Sequence, residues 1–254
     1  MSALRARCPQ CRTLTAVAVD DGYECHSCGA TYAAGLVRVP RAWGVGGEAM
    51  ADAASIGLPY PEALVVAEES LDAQTAALAT GLPVRPLVVG GCCCAHVGAI
   101  RGLAARHERL AVVWLDAHGD LNTPETSPSG NLWGMPLRLA IDEGSVLVAD
   151  VALVGARDLD PAEVTYAAEQ GIDDDLGRAL DGVHAAYIAL DADVLEPGIT
   201  PSFMPVPGGP DADDVDAILR DVASRVRVVG LGITGLGAGA EPAHVARHVA
   251  AAGL

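Results

Sequence analysis

From about Leu36 onward the chain alternates short, almost unbroken apolar runs with longer stretches of helical texture. The apolar runs fall at residues 36–39, 87–89, 111–115, 151–154, 186–190 and 226–231. They show little polar alternation, as strands covered on both faces require. Helix-like segments separate them, at about 61–80, 95–109, 161–170, 212–225 and 242–251. Strand and helix in turn at this spacing predict a mainly parallel, doubly wound α/β sheet. The acids of 211–214 read as a helix N-terminus, where carboxylates meet the positive end of the helix dipole. Asp173, Asp174 and Asp175 read as a solvated loop, and no internal repeat is visible.

The first 34 residues have a different texture. Cys8-Pro9-Gln10-Cys11 and Cys25-His26-Ser27-Cys28 are two Cys-x-x-Cys knuckles separated by thirteen residues. Four thiolates so spaced close a tetrahedron around one Zn²⁺, and a redox dithiol or disulfide pair is the weaker alternative. With all four positions taken, such a zinc is structural and supplies most of the folding energy of a segment with little core. The chain therefore divides into a zinc ribbon, 1–34, and an α/β domain, 35–254. Arg5, Arg7 and Arg12 stand beside Asp20, Asp21 and Glu24, so the ribbon reads as a docking or oligomerisation appendage before a nucleic-acid binder.

Composition narrows the classes. Of 254 residues 51% are hydrophobic and 19% charged, enough apolar material for a sizeable core. Thirty-three acids against sixteen bases leave a net charge of −17, which argues against nucleic acid or an anionic membrane as partner. No unbroken apolar stretch is long enough to span a bilayer. Cys8 arrives before any apolar signal region forms, so the expectation is a soluble, cytoplasmic protein.

The candidate chemistry lies at strand ends, where open α/β sheets gather ligands. Run 111–115 leads into Asp116-Ala117-His118-Gly119-Asp120, run 186–190 into Asp191-Ala192-Asp193, and run 87–89 into Gly90-Gly91-Cys92-Cys93-Cys94. In extended backbone, residues two apart share a side, so Asp116, His118 and Asp120 should converge, as should Asp191 and Asp193. So many carboxylates at one sheet edge repel unless cations neutralise them, and two divalent metals do so.

Residues 114–124, Trp-Leu-Asp-Ala-His-Gly-Asp-Leu-Asn-Thr-Pro, with Ser129-Gly130-Asn131-Leu132, resemble the central signature of the ureohydrolases: arginases, agmatinases and formimidoylglutamases. Residues 190–197 resemble the second metal signature of that family, and Gly90-Gly91 the first. The pattern is closest to arginase. The resemblance implies a three-layer α/β/α fold, a homo-oligomer, and a Mn²⁺ pair whose bridging hydroxide attacks a guanidinium carbon. It places one metal on Asp116, Asp120, Asp191 and Cys93, and the other on Asp116, His118, Asp191 and Asp193, with Asp116 and Asp191 bridging. It also places Asn122, Ser127, Ser129 and Asp160 against the α-amino-acid end of a substrate, although such residues are equally ordinary turn and cap chemistry.

Three positions break the pattern. Where the family has a histidine ligand this chain has Cys93, a softer donor that favours Zn²⁺ or Fe²⁺ over Mn²⁺, with His96 as the substitute; Cys92 and Cys94 read as buried packing. The proton-shuttling histidine is replaced by Trp133, whose indole exchanges no proton near neutrality. The carboxylate that holds a guanidinium should lie near 230–235, where the chain offers Gly235, with Glu241 too far along, and the Gly-Thr-Gly-Thr-Pro run of the family is replaced at 201–205. The expectation is a dinuclear-metal hydrolase acting on a C–N bond of a small, amino-acid-like substrate, with Asp120 and His118 in the catalytic centre beside Trp133 and weak or no activity on arginine. The alternative is a non-catalytic descendant that binds metal or a small ligand.

Overall fold

The computed structural model describes residues 5–254, so residues 1–4 of the expected ribbon lie outside it. Strands β1 (Arg5–Ala6), β2 (Ala16–Val19), β3 (Gly22–Cys25) and β4 (Thr31–Tyr32) make an antiparallel sheet in chain order. The second sheet holds β5 (Gly35–Val39), β6 (Glu62–Val65), β7 (Pro86–Gly90), β8 (Ala111–Leu115), β9 (Val151–Val154), β10 (Ala185–Asp191) and β11 (Arg227–Thr234). Its order is β6-β5-β7-β11-β10-β8-β9, and every pairing is parallel.

Helices α1 (Glu48–Ala51), α2 (Leu71–Gly81), α3 (Cys94–Ala104), α4 (Pro136–Asp142), α5 (Pro161–Gln170), α6 (Leu176–Ala179), α7 (Ala212–Arg225) and α8 (Pro242–Ala251) complete the elements. Strand side chains alternate between two cores. Val113 and Leu115 of β8 face Leu219 and Val222 of α7 and Val249 of α8. Val112 and Trp114 face Leu78 of α2 and Ile100 and Leu103 of α3. Both faces of the sheet are thus covered by helices, which is why its strands read as continuous apolar runs. The result is the three-layer α/β/α arrangement.

The expected helix over 61–80 is two elements. Residues 62–65 form β6, which pairs with the edge of β5, and the helix begins only after Ser70. Ser70 is extended (φ −140°) and its Oγ accepts from the Ala73 amide at 3.2 Å. A half-exposed edge strand shows no clean alternation, and Glu, Ala and Leu are good helix formers, so the strand merges with the helix in the sequence pattern. Helix α3 stops five residues short of 109, with the Arg106 guanidinium turned back onto the Leu82 and Pro83 carbonyls. Helix α4 was not expected. Strand β11 runs to Thr234, past the expected 231, and carries Thr234 to the carboxyl edge of the sheet.

Candidate metal centre

The carboxyl ends of β7, β8, β10 and β11 meet at one cavity of about 250 Å³. Asp116 follows β8; its Oδ1 accepts from the His118 amide at 2.8 Å and its Oδ2 from Trp114 Nε1 at 3.2 Å. Asp191 ends β10 and Asp193 sits in the following 3₁₀ turn. The Asp193 amide donates to Asp191 Oδ1 at 3.0 Å, and Asp193 Oδ1 accepts from the Ala117 amide at 3.0 Å. These acids therefore converge through tight Asx-type turns, not through the strand alternation expected above. Asp120 takes a left-handed backbone (φ +52°), which aspartate tolerates at a cost of about 1–2 kcal/mol.

Cys93, just before α3, places Sγ 2.9 Å from Asp191 Oδ2, 3.7 Å from Asp116 Oδ2 and 3.3 Å from Thr234 Oγ1. His118 Nδ1 lies 3.0 Å from Asp193 Oδ2 and 3.4 Å from Asp116 Oδ1. Two groups result, Cys93–Asp116–Asp120 and Asp116–His118–Asp193; within each, the candidate ligand atoms lie within 4.8 Å of one another. Asp116 belongs to both, whereas Asp191, the other expected bridge, falls in neither group: its Oδ1 accepts from the Asp193 amide and its Oδ2 from Cys93 Sγ and Thr234 Oγ1. His96 turns elsewhere, its ring nitrogens 2.9 Å from Tyr187 OH and 3.1 Å from Thr234 Oγ1. Cys92 and Cys94 pack with Met50.

The electrostatics suit cations. Burial, then the neighbouring Asp193, pushes Asp191 up to about 7; burial, then Asp116, pushes Asp193 up to about 6. Asp120 is driven well above the carboxylate range by burial and by Asp116 and Asp191. Burial disfavours a charged His118, yet its bonds to Asp116 and Asp193 raise its pKa to about 11. Asp120 Oδ2 and His118 Nε2 are buried without a hydrogen-bond partner. Buried polar atoms are rarely left so; a cation would satisfy Asp120 Oδ2 and hold the acids ionised, and one between Asp116 and Asp193 would be met by His118 Nδ1.

A polar rim and an apolar wall complete the cavity. Asn122 Nδ2 donates to Asp160 Oδ2 at 2.8 Å, and Ser127 and Ser129 bring their Oγ atoms within 3.4 Å. Opposite, the ring of Trp133 meets Phe203 edge-on at 5.5 Å, beside Met204. Gly235 lines the floor with a left-handed backbone, and Glu241 lies outside the cavity at the start of α8. Sequence reasoning gave Glu163 no role, but it faces the cavity and accepts from the Leu121 and Asp160 amides at 2.9 and 2.8 Å. The signal was there: Asp160-Pro161-Ala162-Glu163 has the spacing of a capping box.

A parallel α/β/α sheet with acids clustered at its carboxyl edge places candidate metal ligands where open α/β sheets gather ligands. A model described as "Arginase family" matches residues 47–252, and the chain belongs to the arginase family. It is similar to arginase of Bacillus subtilis (strain 168), 38% identical over 156 residues, 49% of this chain and 52% of that protein. The chain thus spans about half the length of the curated relatives it matches. In fold it is similar to the crystal structure of arginase from Bacillus cereus, with TM-score 0.70 and 23% identity over 86% of this chain and 95% of that one. Formimidoylglutamase from Bacillus subtilis subsp. subtilis str. 168 gives TM-score 0.64 and 18% identity over 86% of each chain.

Proposed function

We propose that this chain is a dinuclear-metal hydrolase of the ureohydrolase type, acting on a C–N bond of a small, amino-acid-like substrate other than arginine. The carrying observation is the pair of ligand groups that share Asp116, with the unpartnered Asp120 Oδ2 between acids that cannot all ionise alone. Asp116, Asp120, Asp191, Asp193, His118 and Cys93 would hold the ions. Bound there, divalent cations supply Lewis acidity and lower the pKa of water towards roughly 7. Carboxylate oxygens suit Mn²⁺, and the thiol of Cys93 suits Zn²⁺ or Fe²⁺.

Asn122, Asp160, Ser127 and Ser129 present one face of donors and acceptors to a substrate's amino and carboxyl groups. Asp120, in the ligand group with Cys93 and Asp116, would stand beside the attacking water as a holder of the ion. Trp133 and Phe203 exclude water above the reacting carbon. Trp133 delivers no proton, and Gly235 offers no carboxylate to a planar cation. Without a proton shuttle a ureohydrolase forfeits roughly 10²–10⁴-fold.

The test is metal content with a hydrolysis screen. Wild type should carry two divalent ions in the α/β domain. Asp191→Ala, which removes a carboxylate touching Cys93 and Asp193, should weaken both together. Urea release from arginine and agmatine with Mn²⁺, Zn²⁺, Fe²⁺, Co²⁺ or Ni²⁺ should stay below the ordinary range of roughly 1–10³ s⁻¹, while a neutral amide or amidine turns over. Ordinary arginine turnover would refute the substrate reading. Two bound metals with no turnover of any amide or amidine would favour a ligand-binding descendant, which the indole at Trp133 and the bare Gly235 also suit.

A further inference from the structure

The four thiols near the N-terminus play no part in that reaction, and their geometry is specific. Cys8 Sγ and Cys28 Sγ lie 3.8 Å apart, and Cys11 Sγ and Cys25 Sγ 3.5 Å apart. A disulfide needs about 2.05 Å. Zinc with Zn–S bonds of about 2.3 Å in a tetrahedron sets its sulfurs about 3.8 Å apart. All four sulfurs fall within 4.8 Å of one another, and all four cysteines are free.

The small sheet they close is seated on the large one. The Arg7 amide donates to the Glu62 carbonyl at 2.8 Å, and the Glu62 amide donates to the Arg7 carbonyl at 3.0 Å. Arg7 thus occupies hydrogen-bonding positions on β6, the outermost strand of its sheet. Ala63 of β6 packs into the cluster of Ala6, Cys8, Ala16, Tyr23 and Cys25. The Tyr23 ring fits against Gly35, where a Cβ would come 2.7 Å from it, and Asp21 pairs with Arg227 at the start of β11. These contacts lie at the edge and amino ends of the strands, away from the carboxyl-end cavity.

We propose that Cys8, Cys11, Cys25 and Cys28 hold one Zn²⁺, and that this ion keeps the β1–β4 sheet fastened as a cover over the β6 edge of the α/β sheet. An uncovered edge strand offers free amides and carbonyls to any other strand, and a four-stranded sheet with so few apolar residues depends on its metal to stay folded. The inference does not depend on the proposed reaction.

The test uses the full chain with Cys92→Ala, Cys93→Ser and Cys94→Ala as background, so that the only thiols left are the four of the ribbon. Loaded with Co²⁺, this protein should show sulfur-to-cobalt charge-transfer absorption for one ion. Adding Cys25→Ser and Cys28→Ser should abolish it and remove one zinc equivalent. Hydrogen exchange at the Glu62 amide should rise at least about tenfold while amides of β8 keep their protection. If the multiple variant fails to fold, the same exchange is read on wild type stripped of ribbon zinc by an organomercurial. Unchanged zinc content in the variant overturns the proposal, as does zinc loss that leaves Glu62 exchange unaltered.

Discussion

Gly235→Ala probes the floor of the cavity with a single methyl group. A Cβ at 235 would lie 2.5 Å from Asp191 Cγ and closer still to both of its oxygens. The carboxylate cannot simply swing aside. Its Oδ1 accepts from the Asp193 amide, and its Oδ2 accepts from Thr234 Oγ1 at 3.0 Å and from Cys93 Sγ at 2.9 Å. The backbone at 235 is also left-handed (φ +66°), which costs alanine about 1–2 kcal/mol. Overpacking a buried site adds about 1–3 kcal/mol. A total of about 2–5 kcal/mol lowers Tm by roughly 4–20 °C in a chain of this length. The sharper expectation concerns metal, since displacing Asp191 should reduce occupancy of both ions. Calorimetry and elemental analysis read the two effects. A variant with wild-type Tm and full metal content would show that Asp191 is not where its bonds place it. The same clash means that Gly235→Asp should not create a guanidinium clamp here.

Two further outcomes follow from side chains that fasten the site and its scaffold. Arg157 donates to the carbonyls of Gly155 (2.8 Å), Asp193 (2.9 Å), Val206 (2.8 Å) and Pro207 (3.3 Å); Arg157→Lys cannot span them, so it should cost about 2 kcal/mol and speed proteolysis within 201–210, and unchanged cleavage would refute that role. Asp216, 2% exposed, joins α7 to α8 through Arg247 and through His248 Nδ1 at 2.6 Å. Burial raises its pKa, but Arg247 and His248 outweigh this and hold it below the usual value, so its contribution is complete above about pH 4 and fades as pH falls through the lowered pKa. Asp216→Asn should therefore cost about 3 kcal/mol near neutrality and progressively less in acid, and a pH-independent difference in denaturant melts would contradict the assignment.

The sheet was legible where burial is two-sided. Runs 111–115 and 151–154 coincide with β8 and β9 because both faces are covered and turn residues bound them. Legibility failed at β6, whose half-exposed residues mix the periods of strand and helix. It failed again at α4, where Pro136 opens a short helix that a pattern search passes over. That these acids and His118 belong to one cluster was legible because acids and a histidine at apolar strand ends have few structural uses. How they converge was not, since Asx turns and the left-handed Asp120 are set by local hydrogen bonds, not by periodicity.

Least legible was that the departures form one arrangement. Read along the chain, Cys93, Trp133 and Gly235 are unrelated substitutions. In the fold, Cys93 is small enough to let Asp191 approach its sulfur, and the same carboxylate fills the volume that any side chain at 235 would need. Trp133, paired with Phe203, closes the opposite side of the same cavity. Altering either Cys93 or Gly235 therefore leaves the other misfitted: a bulkier ligand at 93 pushes Asp191 towards 235, and a side chain at 235 pushes it back onto 93. Effects at 93 and 235 should couple through Asp191, as contacting residues do, so changing either position alone back to the family's residue should disturb the metal centre before it alters the substrate.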